Sequence, residues 1–285
     1  MNYKKLLLYI MSLQYHGRSN APDIGVGNKC FLFFSSYIYA KLNNLKIEAS
    51  GDRNPHQKTN KLIKIKNCEK IWFKKGDHRY DNKVVVKTSM YKDGILTYPG
   101  DVNAVFEGYF HDSRYLIANY DLINNIIDLD HFRKPILEKM NYNIGPNDVL
   151  CQVRLGDFIG NNVLHPDYYL NIFEDNNYDK IFFIAFPCND KHLEKYFSYF
   201  EKYRNQIVFI NHETEHDDFY FPYLFQNIIV SNSTFNWWSV FLNSRDPSSK
   251  IHLPLDQKKI QYNKINENCK QYPAKYISSN ELKEP

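Results

Sequence analysis

The second half of the chain alternates short, continuous apolar runs with stretches of helical spacing, which restricts the folds it can adopt. The runs are rich in β-branched and aromatic residues, as expected of strands buried on both faces. They lie at residues 149–154, 181–186, 207–210, 227–230 and 250–253. The stretches of helical spacing lie at 166–174, 190–202, 217–225 and 234–242. This order predicts an α/β fold with a parallel, doubly wound sheet, whose ligands bind beyond the carboxyl ends of the strands.

The first half has a less regular pattern, in which we predict both strands and helices. The predicted strands lie at 5–12, 45–49, 84–88 and 102–106, and the predicted helices at 31–42, 115–129 and 132–140. The apolar stretch Leu6–Met11 imitates a signal peptide, but it is short and no clean small-residue cleavage site follows it, so we interpret it as a buried strand. Residues 51–82 are polar and basic and are expected to form loops and short strands.

The length of 285 residues suits one large domain or two smaller ones. The best candidate linker is 141–147, because it contains Gly145-Pro146. We therefore predict one domain at residues 1–145 and a second at 146–285.

The composition excludes several classes of partner and site. The net charge of +4 is too small for a polybasic coat that binds nucleic acid, and no apolar run approaches the roughly 18 residues of a membrane span. The five cysteines are scattered and form no Cys-x-x-Cys pair, which argues against a disulfide framework and a structural zinc site. Free thiols in a reducing compartment are the simplest interpretation.

The segment from Gln152 to Asp157 lies where a central strand is predicted to end. Arg154 places a fixed cation at the ligand edge of the sheet, and arginine suits bidentate contacts to phosphate. Gly156 allows a close approach of the backbone to a ligand. A surface loop with an Arg154–Asp157 ion pair is the alternative interpretation.

Two further segments each follow a strand and open a helix. In Ser231–Trp238, hydroxyl groups at the helix start either cap free N–H groups or accompany a bound anion such as phosphate. The tryptophans there are expected to pack in the core rather than stack on a ligand. Gly25-Val26-Gly27-Asn28 forms a glycine turn before a helix, although the dinucleotide fingerprint Gly-x-Gly-x-x-Gly fails at Cys30.

Together these segments resemble the alpha-1,2-fucosyltransferases of glycosyltransferase family 11, and more distantly the protein O-fucosyltransferases and alpha-1,6-fucosyltransferases. Ser231–Trp238 is nearly identical to the family's Ser-Asn-Ser-Thr-Phe-Ser-Trp-Trp. Gln152–Asp157 matches His-x-Arg-Arg-Gly-Asp except at two positions, and residues 25–31 are similar to Gly-Leu-Gly-Asn-Gln-Met-Phe. Further similar segments are Gly108–Ser113, Asp167–Tyr169, Cys188–Asp190 and Asp218–Pro222. The match runs from about Ile24 to Asn243, in the family's order.

The resemblance implies a GT-B-like fold of two Rossmann-type domains with parallel sheets facing a central cleft. It implies transfer of L-fucose from GDP-β-L-fucose to a glycan hydroxyl, with inversion and without a metal. The second domain would hold the nucleotide-sugar donor, and the first would shape the glycan acceptor site. No cofactor, nucleic-acid partner or membrane span is expected, and the predicted location is the cytoplasm, at the periphery of a membrane that carries the acceptor.

The resemblance also assigns expected roles to residues. Arg154 would bind the β-phosphate and stabilise the leaving group, while Ser233, Thr234 and Phe235 would surround the phosphates. Asp190 or Asp218 would contact guanine or ribose. The other expected donor-binding residues are Gly25, Gly27, Asn28, Gln152, Gly156 and Asn232.

Two positions depart from the family pattern, because Gln152 replaces its histidine and Leu155 replaces its second arginine. Glutamine cannot ionise, and leucine removes a cation. These departures leave two alternatives open, a different nucleotide-deoxysugar donor and a protein that binds nucleotide or glycan without turnover. For the general base, Asp157 is one candidate and the pair of His111 and Asp112 is another.

Three further patterns suggest functions that we interpret as surface features. His212–His216 spells the zinc motif His-Glu-x-x-His, but its place just after a strand predicts a solvated connection. Asp128-Leu129-Asp130 resembles a metal-binding Asp-x-Asp and is expected to be charge at the end of a helix. Residues 61–66 alternate like an edge strand with one charged face.

Overall fold

In a computed structural model, the chain forms two compact units, Met1–His131 and Phe132–Pro285. The division falls earlier in the chain than the predicted linker, and both the domain limits and the cleft between the halves stay predictions. The structure describes residues 10–13, 25–43, 46–49, 59, 61–66, 83–87, 91–92, 95–96, 103–107, 110–158, 162–186, 190–244, 248–255, 265, 268–277 and 279–282.

The second unit contains a sheet of six parallel strands. The strands are β9 (Val149–Arg154), β10 (Ile181–Phe186), β11 (Ile207–Ile210), β12 (Asn227–Ile229), β13 (Lys250–Leu255) and β14 (Cys269–Pro273). Their spatial order is β11-β10-β9-β12-β13-β14. The chain first builds outward from β9 to β11 and then returns to the other side of β9, so the order reverses between β9 and β12. This is the doubly wound order of dinucleotide-binding folds, and ligands bind at its reversal point.

Helices precede, connect and follow the strands of this sheet. They are α4 (Asp130–Lys139), α5 (Asp167–Asp175), α6 (Asp190–Ser198), α7 (Glu215–Tyr220), α8 (Thr234–Asn243) and α9 (Ser279–Leu282). Strand β9 is buried on both faces, which explains its continuous apolar sequence. Cys151 and Val153 pack in one core cluster with Tyr168 and Tyr169 of α5. Because side chains alternate along a strand, Gln152 and Arg154 point to the opposite face.

The core tryptophans of α8 confirm their expected packing role. Trp237 and Trp238 are fully buried, with ring centroids 5.3 Å apart, and Trp237 stacks on Phe241 at 4.6 Å. They hold α8 against the sheet and thereby fix the position of its first turn.

The first unit also contains a parallel sheet. Its strands are β1 (Ile10–Leu13), β2 (Lys46–Ala49), β4 (Lys83–Lys87) and β7 (Asn103–Glu107), in the spatial order β2-β1-β7-β4. Short antiparallel pairs join β3 (Lys64–Ile65) to β8 (Ile127–Asp128), and β5 (Tyr91–Lys92) to β6 (Ile95–Leu96). The helices are α1 (Val26–Leu42), α2 (Ser113–Ala118) and α3 (Tyr120–Ile126). The predicted α/β class with parallel sheets is confirmed.

Some predicted elements differ from the structure. The helix expected at 115–129 is two helices, since Asn119 ends α2 and donates its side-chain amide to the Tyr115 carbonyl, and residues 127–128 are strand β8. The helix expected at 217–225 is α7 followed by a 3₁₀ turn at Phe221–Leu224, where Pro222 lacks the N–H that a longer helix needs. Most of 51–82, and the start of the first predicted strand, lie outside the described residues.

Strand β14 was not predicted, because its sequence Cys-Lys-Gln-Tyr-Pro alternates polar and apolar residues as an edge strand does. Asp128 does not end a helix; it ends β8, and its carboxylate accepts from the His131 amide at the start of α4. Within the described part of the chain, no helix combines the length and apolarity that crossing a bilayer requires.

Candidate functional site

The reversal point of the six-stranded sheet places two segments side by side. Strand β9 ends at Arg154 and pairs with β12, which ends at Ile229 just before Ser231–Thr234. Both segments therefore lie beyond the carboxyl ends of adjacent strands, where doubly wound sheets bind ligands.

Arg154 is half-buried, and its guanidinium lies 5.4 Å from the ring centroid of Phe158. A 3₁₀ turn at Gly156–Phe158 follows the strand, and Gly156 adopts a φ of 35°, which favours glycine. The Phe158 amide closes the turn on the Leu155 carbonyl at 2.7 Å. The side chain of Asp157 lies outside the described residues, so its pairing with Arg154 stays a prediction.

Leu155 is fully buried in the core cluster that also contains Val153. Its side chain therefore belongs to the packing of the sheet against α5 and faces away from the ligand edge. A leucine at this position therefore adds to the buried apolar surface of the cluster.

Gln152 is 2% exposed and lies on the same face of β9 as Arg154. Its backbone carbonyl accepts a hydrogen bond from the Tyr169 hydroxyl at 3.0 Å. Its side-chain oxygen Oε1 is buried, and no described residue donates a hydrogen bond to it. A buried unpaired acceptor costs about 1–3 kcal/mol, so this oxygen is suited to a ligand N–H or O–H group.

The start of α8 has no side-chain cap among the described residues. Ser233 is the N-cap residue in extended conformation, but its side chain makes no capping hydrogen bond within the described helix. Instead, Ser231 Oγ accepts from the Ser233 amide at 3.3 Å and from Asn236 Nδ2 at 2.7 Å. The first-turn N–H groups carry the positive end of the helix dipole.

Asn232 and Phe235 flank this helix start. Asn232 Nδ2 donates to the Asn162 carbonyl at 2.8 Å, while its Oδ1 is buried and accepts no hydrogen bond from the part of the chain that the structure describes. The ring of Phe235 packs on Phe219 of α7 at 5.4 Å. Asn232 thus keeps an acceptor for a ligand, whereas Phe235 contributes packing between two helices.

Asp218 lies on α7, the helix that follows β11. Its Oδ1 is 2.8 Å from His212 Nδ1, with side-chain exposures of 30% for Asp218 and 7% for His212. The expectation of a solvated connection at 212–216 is therefore wrong at His212, although Glu213 is exposed. The two histidines of the motif do not share a helix face, because α7 begins only at Glu215.

In the first unit, the start of α1 holds three predicted residues. Gly25 is exposed, Gly27 is buried, and the Asn28 amide donates to the Gly25 carbonyl at 3.1 Å. His111 Nε2 lies 2.9 Å from Asn28 Oδ1, and burial lowers the pKa of His111 to about 4. The residue before it, Phe110, is fully buried and has a φ of 53°, a strained conformation for a bulky residue.

Asp112 has a structural environment. Its Oδ1 accepts from the Arg114 amide and caps α2, and the Arg114 guanidinium contacts both carboxylate oxygens at 3.0 and 2.6 Å. Both oxygens are thus engaged, and its role as a base stays a prediction.

The structure brings one group of predicted residues together at the carboxyl edge of the second sheet, namely Gln152, Arg154, Gly156, Asp218, Asn232, Ser233, Thr234 and Phe235. A second group, Gly25, Gly27, Asn28, His111 and Asp112, meets in the first unit. Asp190 begins α6, but its side chain lies outside the described residues. Among the described residues, no group of three or more His, Cys, Asp or Glu side chains is arranged to hold a metal ion.

Sequence reasoning did not anticipate His212 and Asn162 as part of this edge. His212 was visible only within a zinc-like motif, and the signal that identifies it is its place two residues after a strand end.

Comparison with known proteins gives partial matches. No family model matches the chain. The O-antigen biosynthesis glycosyltransferase WbnK of Escherichia coli is 30% identical over 138 residues, which cover 44% of this chain and 42% of that protein. The chain thus matches less than half of the length of this relative.

Two solved structures are similar to the chain at 10% sequence identity. The fucosyltransferase NodZ from Bradyrhizobium gives a TM-score of 0.49, with coverage of 82% of this chain and 93% of that one. The NodZ alpha-1,6-fucosyltransferase soaked with GDP-fucose gives the same TM-score, with coverage of 82% and 92%.

Proposed function

We propose that the chain is a metal-independent, inverting glycosyltransferase that transfers L-fucose from GDP-β-L-fucose to a hydroxyl group of a glycan. The observation that carries the proposal is that Arg154 and the start of α8, which has no side-chain cap among the described residues, follow adjacent strands at the reversal point of the sheet. A fixed cation and a helix N-terminus at that edge suit a nucleoside diphosphate.

The transfer needs stabilisation of a leaving diphosphate. The bond from the sugar C1 to the β-phosphate oxygen breaks, and the acceptor oxygen bonds to C1 from the opposite face and loses its proton. The departing GDP gains negative charge, which Arg154 and the N–H groups after Ser233 stabilise in place of a metal ion. The half-buried position of Arg154 strengthens this interaction relative to bulk water.

Side chains that accept hydrogen bonds lie next to the phosphate site and recognise the nucleoside. Asp218 offers a carboxylate that is 30% exposed, and Gln152 offers Oε1, which no described residue engages. Both accept hydrogen bonds, which suits the N–H donors of guanine and the hydroxyls of ribose.

Support for the reaction class comes from the E. coli relative, whose name describes a glycosyltransferase of O-antigen biosynthesis. The ordered motifs that end in Ser231–Trp238 add the fucosyltransferase resemblance.

We assign the removal of the acceptor proton to Asp157. Asp112 is engaged by Arg114 through both oxygens, whereas His111 donates from Nε2 to Asn28 and stays the competing candidate base.

Calorimetric titration with GDP, UDP, ADP and GDP-fucose, each with and without a chelator, tests the donor. Metal-independent, GDP-selective binding followed by fucose transfer is the expected result. Selectivity for UDP would replace the donor sugar but keep the phosphate site. Tight GDP binding without transfer or donor hydrolysis would favour a protein that binds the nucleotide without turnover. Gln152 motivates this alternative, because a glutamine side chain cannot ionise.

A further inference from the structure

The proposed function uses the partly exposed carboxylate of Asp218 but leaves its hydrogen-bond partner, the buried ring of His212, without a role. Nδ1 of His212 lies 2.8 Å from Asp218 Oδ1, across the turn that joins β11 to α7. The imidazole lies beside aromatic rings, with its centroid 4.8 Å from Phe221 and 6.2 Å from Tyr142. Burying a polar ring among aromatic side chains costs free energy unless the ring forms a hydrogen bond, and here Nδ1 bonds to Asp218.

The proton arrangement of the pair follows from its chemistry. An ionised carboxylate only accepts hydrogen bonds, so Nδ1 of His212 is the donor. Nε2 is buried and bonds to none of the residues that the structure describes, so it does not reach solvent. The one hydrogen bond of this ring within the described chain is therefore directed at Asp218.

The backbone on both sides of Asp218 is held in place. A capping box between Thr214 and Asp217 fixes the start of α7. The carbonyl of Phe219, the next residue after Asp218, accepts from Ser239 Oγ at 2.6 Å and from Asn243 Nδ2 at 3.0 Å. Both donors lie on α8, so Asp218 is tied to the helix whose start forms the proposed phosphate site.

Extended past the end of β11, the strand register places His212 on the same sheet edge as Arg154, two strands away. Phe186 of β10 pairs with Arg154, and Ile184 pairs with Ile210 of β11, so His212 falls level with Phe186 at the next strand. Two strand spacings separate this position from Arg154, or about 10 Å. A nucleotide with its diphosphate on Arg154 can therefore extend its base along the sheet edge toward Asp218.

We infer that His212 is a positioning residue that orients the Asp218 carboxylate to accept the N–H groups of a guanine base, and that base selectivity depends on it. The inference rests on the proposed function. With Oδ1 bonded to His212, the remaining lone pairs of this partly exposed carboxylate act only as hydrogen-bond acceptors. Guanine presents N1–H and N2–H donors side by side, whereas adenine and uracil place an acceptor next to each donor, so the carboxylate favours guanine.

Two substitutions at His212 separate the hydrogen bond from the ring. His212→Phe keeps a ring among the aromatic neighbours but removes the donor to Asp218. His212→Asn places an amide nitrogen close to the position of Nδ1 and keeps a donor. We expect His212→Phe to weaken GDP binding about tenfold, the size of one charge-assisted hydrogen bond, and to leave ADP binding unchanged, because the diphosphate contacts are intact.

The measurements are the dissociation constants of GDP, IDP and ADP for the wild-type chain and both variants, with the thermal unfolding midpoint of each. In His212→Phe, we expect a smaller difference in affinity between GDP and ADP and between GDP and IDP. His212→Asn should keep affinities close to those of the wild type. Unchanged preferences in His212→Phe would overturn the inference, as would equal losses in both variants. If the phenylalanine variant does not fold, Asp218→Asn supplies the second test, and retained guanine selectivity there would also overturn it. A wild type that shows no preference for GDP contradicts the proposed function itself, so the two failures are distinguishable.

Discussion

Nε2 of His111 lies 2.9 Å from Oδ1 of Asn28 and so connects the start of α2 to the start of α1. The amide oxygen can only accept, so the imidazole donates, and burial keeps it neutral by lowering its pKa to about 4. With Oδ1 committed, the Nδ2 group of Asn28 is the donor that remains for a ligand. The strained φ of 53° at Phe110, directly before His111, is consistent with a ring held in one orientation.

This contact predicts different effects for two substitutions of His111. His111→Phe keeps the edge contact with Phe31 but removes the donor to Asn28. His111→Gln retains a nitrogen near the position of Nε2. We expect the phenylalanine variant to raise the KM for the donor by about tenfold, while the glutamine variant stays close to wild type in steady-state kinetics.

The same pair of variants distinguishes positioning from general-base catalysis. A base at His111 would make His111→Gln as inactive as His111→Phe, with a loss in kcat rather than in KM. A glutamine variant with wild-type kcat would therefore exclude His111 as the base.

A second prediction concerns Arg154 and the leaving diphosphate. Arg154→Ala is expected to lower kcat by about 10²–10³, the usual cost of removing one donor that stabilises developing charge. Quantifying GDP release in the presence of acceptor measures this loss. Arg204→Ala is the matched control, since Arg204 is 77% exposed and pairs with Glu201 at the surface. Transfer that survives unchanged in Arg154→Ala would contradict the proposed reaction.

A third prediction uses the dipole of α8. Thr234→Asp adds a negative charge to the first turn, where it stabilises a helix by about 0.3–1 kcal/mol. The same charge repels a bound diphosphate, so the unfolding temperature should hold or rise while GDP affinity falls by at least about tenfold. Thr234→Asn, a neutral variant, should bind GDP nearly as wild type does. Calorimetry and thermal unfolding of the two variants measure both effects. Undiminished GDP binding by Thr234→Asp would show that the phosphates do not bind at this helix start.

The strands around the site were predictable, because a strand that is buried on both faces has a continuous run of apolar residues in its sequence. Strands β9 and β10 are continuous apolar runs, and their predicted limits match the structure at both ends. The helix start at Thr234 was also predicted, because hydroxyl residues precede a run of core aromatics. From these elements, the position of Arg154 at the sheet edge followed directly.

Other features depend on tertiary contacts that no local pattern records. His212 carries the same sequence signal as an exposed histidine, and only its burial against Phe221 shows that it holds Asp218. The capping role of Asp112 depends on the break before α2. Strand β14 has an amphipathic edge pattern that propensity alone does not separate from a loop.

A fourth prediction tests the turn after β9. Gly156 has a φ of 35°, so Gly156→Ala should cost about 1–2 kcal/mol of folding stability. We expect the strain also to displace the end of β9. Because Arg154 lies two residues from Gly156, the free-energy cost to kcat should exceed the cost to folding stability. Gly145→Ala is the control, since a Cβ there meets only the Asp148 side chain at 3.6 Å or more among the described residues. If both variants lose stability and activity equally, the turn at Gly156 has no special role in placing Arg154.

The last prediction concerns acid sensitivity through His252 of β13. Its Nε2 lies 3.0 Å from the Tyr178 hydroxyl, and burial is the main cause that lowers its pKa from 6.5 to about 4. Because the folded-state pKa lies below the unfolded one, the stabilisation is complete above about pH 6.5 and is lost as the pH falls toward 4. The shift corresponds to about 3 kcal/mol of unfolding free energy.

His252→Gln removes the titrating group and should flatten the pH dependence of the unfolding free energy over that window. Urea unfolding followed by tryptophan fluorescence reports on both units, because Trp237 and Trp238 lie in the core of the second and Trp72 belongs to the first. Part of the slope should remain, since burial lowers the pKa of His111 in the same direction. His131→Gln is the matched control, since it makes the same exchange at an exposed imidazole. A wild-type slope in His252→Gln would show that the buried imidazole of β13 does not set the acid sensitivity.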